Sequence, residues 1–224
     1  MHDTCPHIEC PPVAGHQMEK LMATLAMAAL ASSTAATTVT FDQDRPGALP
    51  ADWIAGVTRS GSHHWTVEAD ANAPSAPNVL KQSGKGAFPW CVRKGVALAD
   101  GFVEVKFKPL TGREDQAGGV VWRWKDGDTY YVARANALEN NVSLYYTEGG
   151  RRTTIKYVDA PVAGNQWHSL RVEFHGAGIR VLLDGKAYIA QQDNHIGGGG
   201  SVGVWTKADS VTLFDDFAFG TTAP

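Results

Sequence analysis

The sequence predicts an all-β fold, a sandwich or barrel of about a dozen short antiparallel strands. Three observations predict it. Apolar and polar residues alternate with period two over many short segments. Turn dipeptides such as Asp126-Gly127, Gly149-Gly150 and Asp184-Gly185 separate them. After residue 36 no segment carries a strong amphipathic helical period. The composition agrees: 24 Gly beside 7 Trp, 6 Tyr and 8 Phe lean toward strands and tight turns.

The strands follow in order. Trp53–Arg59, His64–Ala69, Val79–Gln82 and Pro89–Val96 are short apolar-rich segments. Gly101–Leu110 places Val103, Val105 and Phe107 on one face and Phe102, Glu104, Lys106 and Lys108 on the other, until Pro109 ends it. Gly118–Lys125 puts Val120, Trp122 and Trp124 on a core face and Arg123 and Lys125 opposite. A two-residue turn at Asp126-Gly127 pairs Trp122 with Tyr131 and Arg123 with Tyr130. The returning strand, Thr129–Ala137, aligns Tyr130, Val132, Arg134 and Asn136. Asn141–Thr147 turns at Gly149-Gly150 into Arg152–Val158, and Trp167–Phe174 aligns His168, Leu170, Val172 and Phe174. Gly176–Leu183 turns at Asp184-Gly185 into Lys186–Ala190. After the four-glycine loop 197–200, Ser201–Thr206 and Val211–Phe219 close a single domain spanning 37–224.

Residues 1–36 read as a leader outside that fold. Leu21–Ala31 is a short apolar run preceded by Lys20 and followed by small residues, the pattern of a secretory signal peptide. Cleavage after Ala35 or Ala36 leaves a chain starting near Thr37, so the expected location is secreted or periplasmic. Met1–Gln17 lies upstream with Cys5, Cys10, His2, His7 and His16. Its Cys-x4-Cys spacing is loose for zinc, and a misplaced start or disordered leader is the preferred reading. Without residues 1–35 the net charge moves from −3 to −1, and Cys91 is the one cysteine left. A single cysteine forms no internal disulfide and reads as a small buried hydrophobe.

The charge balance excludes a nucleic-acid binder, which needs a basic stripe to neutralise phosphates. No apolar run reaches the roughly 18 residues that span a bilayer.

Three segments together resemble one superfamily: GGVVWRWKDGDTYYVARAN (118–136), NQWHSLRVEFHGAGIRVLLDGKAY (165–188) and SVGVWTKADSVTLFDDFAFG (201–220). The middle one resembles the W-H-x-L-x-V-x-x-x-G-x-x-I-x-V-x-L-D-G run of laminin-G-like, concanavalin A-like jelly rolls. The third resembles their closing strand. The resemblance is nearest to bacterial secreted domains known as 3-keto-disaccharide hydrolases, or family-sixteen-like glycoside hydrolases. It implies a two-sheet antiparallel jelly-roll sandwich with a concave, sugar-facing sheet. It leaves function open.

Catalytic signatures are missing. Family-sixteen glucanases carry E-x-D-x-x-E, which lines up the pair of carboxylates that retaining hydrolysis needs about 5 Å apart. Glu68-Ala69-Asp70 starts such a run, but Ala73 stands where the third acid belongs. There is no G-x-S-x-G elbow and no His-Glu-x-x-His motif. Glu104, Glu148 and Glu173 are the carboxylates on hand for a hydrolase.

The polar face of the 118–136 hairpin is the expected sugar site. Arg123, Lys125, Tyr130, Arg134 and Asn136 supply the planar and bidentate groups that hold saccharide hydroxyls. The competing reading is an ordinary sheet face on which Arg134 pairs with Glu139. Trp90 and Trp65, near turns, are the expected stacking platforms, while Trp205 fits either face. Asp215 shares parity with Val211, Leu213 and Phe217, which buries a carboxylate unless a bulge intervenes. The resemblance implies a structural calcium where first and last strands meet, with Asp42, Asp44, Asp215 and Asp216 as its ligands. Three functions follow: an exported carbohydrate-binding domain, a glycoside hydrolase of the 3-keto-disaccharide type, or a laminin-G-like adhesion domain. Carbohydrate is the expected partner.

Overall fold

A computed structural model describes Met1, His2 and residues 36–221. The leader and signal-peptide reading of 1–36 falls almost wholly outside them. Among the described residues no helix is long and apolar enough to cross a membrane.

The domain is built from fifteen strands: β1 (Thr37–Val39), β2 (Trp53–Gly61), β3 (Trp65–Ala69), β4 (Asn78–Gln82), β5 (Gly86–Arg93), β6 (Gly101–Thr111), β7 (Ala117–Asp126), β8 (Thr129–Asn136), β9 (Asn141–Glu148), β10 (Arg151–Asp159), β11 (His168–His175), β12 (Gly178–Leu183), β13 (Lys186–Gln192), β14 (Ser201–Trp205) and β15 (Val211–Gly220). All pair antiparallel, in two sheets. The front sheet runs β10-β9-β8-β7-β14-β5-β2, and the back sheet runs β13-β12-β11-β6-β15-β4-β3 with β1 added on β15. The expected strands all form, most with bounds shifted by one to three residues. Only β1 goes unforeseen, because three residues are too few to show a period.

Between the sheets lies one apolar core. Val103, Val105 and Phe107 enter it from the back sheet, and Val120, Trp122 and Leu144 from the front. Period-two alternation along each strand buries one face and leaves the other for solvent. The core also takes Trp65, which packs its ring 5.6 Å from Phe214. That corrects the expectation of Trp65 as an exposed platform.

Three of the register shifts, each at a residue with positive φ, redirect the alternation where it bears on the site. In β2 the register shifts between Thr58 and Gly61, with Arg59 at φ 71°. In β7 it shifts between Trp122 and Asp126, with Arg123 at φ 46°. In β15 it shifts between Asp215 and Ala218, with Asp216 at φ 46°. A bulge inserts residues on one strand and turns those after it to the opposite face. Hence Trp122 pairs with Tyr131 as expected, but Arg123 does not pair with Tyr130, and Asp126 pairs with Thr129. Trp124 accordingly leaves the core face and packs against Trp90 at 5.1 Å on the outer face.

Candidate functional site on the outer face of the front sheet

The outer face of an antiparallel sheet is ordinarily polar. This one carries a second apolar cluster: Phe88, Trp90, Val92, Val121, Tyr130, Val132, Tyr145 and Trp205, with Trp124 against it. Cross-strand pairing puts Gly56, Trp90, Trp205, Gly119, Arg134, Ser143 and Tyr157 in one row across the sheet. The glycines make room for the rings. A Cβ on Gly56 would lie 2.4 Å from Cζ2 of Trp90, and one on Gly127 3.0 Å from the same atom.

The sheet curls around this face. Its edge strands β2 and β10 lie at opposite ends of the strand order, yet Arg59 Nε donates to the Gly150 carbonyl in the β9–β10 turn at 3.1 Å. Thr58 Oγ1 lies 2.7 Å from Tyr130 Oη and also donates to the Gly127 carbonyl. The hairpin tips therefore fold across toward β2 and enclose the aromatic layer. A cavity of about 460 Å³ lies at this closure, lined by Val57, Arg59, Asp128, Gly149, Gly150 and Arg151.

Arg152 occupies the middle of the layer. Its guanidinium carbon stands 4.5 Å from the Phe88 ring centre, 4.3 Å from Tyr145 and 5.7 Å from Trp205. Cation–π attraction to these faces offsets part of the cost of desolvating the charge. Its Nη1 is buried and has no hydrogen-bond partner among the described residues. Burial pushes its pKa below the ordinary arginine value, and the nearby Arg134 charge adds to the effect.

At the other end of the row lies a charged network. Arg134 Nη1 donates to Asp115 at 2.6 Å, and Nη2 donates to Glu139 at 2.6 Å. Asn136 Nδ2 and Lys207 Nζ also donate to Asp115. Asn141 Nδ2 donates to both Glu139 and the Tyr157 hydroxyl at 2.8 Å. Asp115 and Arg134 are buried, whereas the Tyr157 ring is exposed. Burial presses the Glu139 pKa upward, but hydrogen bonds from Asn141 and the Arg134 charge win and hold it below the usual carboxylate range.

The six expected sugar-site residues divide. Tyr130, Arg134 and Asn136 on β8 and Trp90 on β5 are all buried: Tyr130 lies in the aromatic layer with Trp90, Arg134 and Asn136 converge on Asp115, and the burial of Trp90 corrects the expectation of an exposed stacking platform. Arg123 does not join them. Its bulge turns it away, to donate to the carbonyls of Ala99 (3.1 Å), Ile196 (3.0 Å) and Gly176 (2.7 Å) and to lie over Phe174. Lys125 donates instead to Gly199 in the glycine loop at 2.6 Å. Arg134 does pair with Glu139, the competing expectation. Sequence reasoning missed Arg152, Asp115, Lys207 and Tyr157. For Arg152 a signal was present: it shares parity with Thr154, opposite Tyr145, but the short β10 pattern looks like a solvated edge strand.

The acids expected for hydrolysis lie elsewhere. Glu104 and Glu173 bind Arg171 on the back sheet at 3.1 and 3.0 Å. Glu68 on the edge strand β3 pairs with Lys81 on its neighbour β4 at 3.0 Å, and Asp70 accepts from the Asn72 amide. Glu148 is exposed at the end of β9.

The calcium set is only half assembled. Asp42 and Asp215 converge on Ser75, whose amide donates to Asp215 at 2.7 Å and whose hydroxyl donates to Asp42 at 3.3 Å. Asp42 also accepts from the Asn78 amide and Asp215 from the Asp216 amide. Asp216 turns to Lys106 at 2.7 Å, and Asp44 offers Asn78 its backbone carbonyl. Calcium takes six to eight oxygens. Here the carboxylates already accept protein N–H and O–H groups, and among the described residues no group of three or more His, Cys, Asp or Glu is placed to hold a metal. The residues present do not fit the expected ion. Burial pushes the Asp215 carboxyl up to about 6, with Asp216 and Asp42 adding to it.

No protein-family model and no curated protein matches the chain. Solved structures do. The chain is similar to the carbohydrate-binding module CBM66 from Bacillus subtilis, with TM-score 0.62 and 19% identity over 76% of this chain and 96% of that one. It is similar to the Bacillus licheniformis beta-glucanase, with TM-score 0.57 and 12% identity over 84% and 98%. The fold is a concanavalin A-like jelly roll. The carbohydrate recognition domain of Emp47p gives the same architecture, with TM-score 0.57 and 12% identity over 83% and 95%. Identities this low bear on the jelly roll alone.

Proposed function

We propose that the chain is an exported carbohydrate-binding domain that holds a saccharide against the curled outer face of the front sheet. The observation that carries this reading is the half-buried Arg152 guanidinium, framed by Phe88, Tyr145 and Trp205, with Nη1 buried and unpartnered among the described residues. A buried donor without a partner costs about 1–3 kcal/mol, which a ligand oxygen would offset. Flat aromatic rings beside fixed donors are what pyranose faces and hydroxyls require. Tyr157, Glu139 and Asn141 offer further polar groups at the open end of the row. The similarity to a carbohydrate-binding module and a carbohydrate recognition domain supports the same reading.

Hydrolysis fits less well. A glycosidase needs one carboxyl held protonated and a second free to attack or activate water. On this face Asp115 and Glu139 both bind Arg134, and Asp115 is buried beneath it. Glu139 is held below the usual range, the wrong direction for a general acid.

A glycan array followed by calorimetric titration of the full chain tests the reading. Binding without turnover of ordinary or 3-keto disaccharides is the expected result. Turnover abolished by one carboxylate substitution would establish the hydrolase instead, and no binding to any glycan would leave the adhesion reading. Export rests on the Leu21–Ala31 pattern. N-terminal sequencing of secreted protein should find a start near Thr37.

A further inference from the structure

We propose that the saccharide is uncharged, that one of its rings stacks on Tyr157, and that one of its hydroxyls donates to Glu139 at the open end of the row. This contact rests on the carbohydrate-binding reading and adds to it the groups that select the sugar.

One buried amide holds both side chains. Asn141 is buried, and its Nδ2 lies 2.8 Å from Glu139 Oε2 and 2.8 Å from Tyr157 Oη. Its Oδ1 accepts from Ser143 Oγ at 3.0 Å, so the network fixes which way the amide points. A buried amide spent on two side chains that reach solvent sets their spacing before any ligand arrives, which lowers the ordering cost of binding. Arg134 Nη2 also donates to Glu139 Oε2, at 2.6 Å. The turn that carries Glu139 is braced in the same way. The Leu138 amide donates to Asn136 Oδ1 at 2.9 Å. The Asn140 carbonyl accepts from the Ala160 amide at 2.9 Å, and Asn140 Oδ1 accepts from the Val162 amide at 3.2 Å.

An acceptor oxygen and a ring are what this frame presents outward. Both bonds that the Glu139 carboxylate accepts end on Oε2, and Oε1 takes no hydrogen bond among the described residues. The carboxyl is held below the usual range, so it stays ionised and can only accept. The Tyr157 ring is exposed although its hydroxyl is held. Leu138, next to Glu139 in the chain, is exposed as well, so two of the large apolar side chains that the domain leaves in solvent belong to this end of the row. The neighbouring cations are turned inward, Arg134 and Lys207 both to Asp115. A sugar hydroxyl can therefore donate to Oε1 with the strength of a charge-assisted bond while a C–H face of the ring covers Tyr157. A uronate or a sulfate ester would bring a second anion to the same oxygen and be repelled.

A glycan array carrying cello-, manno-, xylo- and fructo-oligosaccharides, oligogalacturonates and sulfated oligosaccharides tests this on the full chain and two variants. Neutral glycans should give the tightest binding. Glu139→Gln should weaken the leading neutral glycan about ten-fold and narrow its lead over the oligogalacturonates, because the amide keeps its oxygen toward Arg134 and Asn141 and places NH₂ where Oε1 stood. Tyr157→Ala should weaken it about ten-fold or more. Tyr157 is exposed on the edge strand β10, so this variant keeps the test valid if Glu139→Gln disturbs Arg134. Arg180→Gln, on the back sheet, should change nothing. An array led by oligogalacturonates or sulfated chains, or neutral binding that either folded variant keeps in full, would overturn this contact while leaving carbohydrate binding intact. Binding of no glycan by the wild type would overturn both.

Discussion

Asp115 is the residue whose removal tells most about the site. Its carboxylate is buried and receives Arg134, Asn136 and Lys207. Asp115→Ala takes the anion away and leaves a guanidinium that is itself almost wholly buried. Removing one partner of a buried ion pair costs about 3–5 kcal/mol, because the other charge stays desolvated. Arg134 would keep Glu139 on Nη2, so the lower end of that range applies, about 3 kcal/mol. For a domain of this size each kcal/mol moves Tm by about 2–4 °C, so the melting point should fall by about 6–12 °C. Glu139→Gln should cost only about 1 kcal/mol or less, because the Glu139 side chain is 36% exposed and Arg134 keeps its buried partner. Urea unfolding of the two variants beside the wild type reads both numbers. A loss below about 1 kcal/mol in Asp115→Ala would refute the account, since it would mean that the pair contributes no more than an exposed one. Near-native stability together with lost turnover of a glycoside would make Asp115 a catalytic acid.

Other outcomes follow from single contacts. Gly56→Ala should force the Trp90 ring off the sheet, at about 1–3 kcal/mol with a shift in tryptophan fluorescence, whereas Gly197→Ala, with nothing within 4 Å of its Cβ, should be silent. The folded-state carboxyl of Asp215 titrates near 6 rather than 3.8, so between those values the folded chain holds more protons than the unfolded one. Its contribution to stability therefore rises as pH falls from about 7 to about 4, by about 1–2 kcal/mol, read as wild type minus Asp215→Asn in urea unfolding across that range; a flat difference would contradict it. Millimolar calcium should leave Tm unchanged, because the oxygens of Asp42 and Asp215 already accept Ser75 and Asn78; a clear rise would restore the ion. Cys91 is buried, and burial raises its pKa well above the ordinary thiol value, so in a chain starting at Thr37, where it is the one cysteine, a thiol reagent should react only after urea is added.

The strands were legible because period-two alternation and turn dipeptides act locally. Val103, Val105 and Phe107 reach the core as their spacing predicts, and the β7–β8 hairpin turns at Gly127-Asp128, one residue after the expected Asp126-Gly127. The site was legible only in part, because bulges carry no reliable sequence mark. One bulge removes Arg123 from the front face and sends Trp124 to it, and another brings Arg59 over Phe88. A third lets Phe214 and Phe217 both face the core while Asp215 is buried against Ser75. Asp115 was invisible for a different reason. It lies in the loop between β6 and β7, and its partners come from β8 and from the loop after β14.

The outer face poses an energetic question that the carbohydrate reading answers. A second aromatic layer on the solvent side of a sheet needs no arginine at its centre, since an apolar residue at 152 would pack on Phe88 and Tyr145 without any desolvation cost. Replacing a buried charge by a well-packed apolar residue is often stabilising by about 1–4 kcal/mol. Arg152→Met should therefore unfold at equal or higher urea than the wild type, and lose saccharide binding. A variant that gained stability and kept its ligand would show the guanidinium to be dispensable. One that lost several kcal/mol would show it to be part of the fold, with its bonding to the layer stronger than the three ring contacts account for. The carbohydrate reading predicts the first pattern, stability preserved and binding lost, because a group held at a cost to the folded state is held for what it binds.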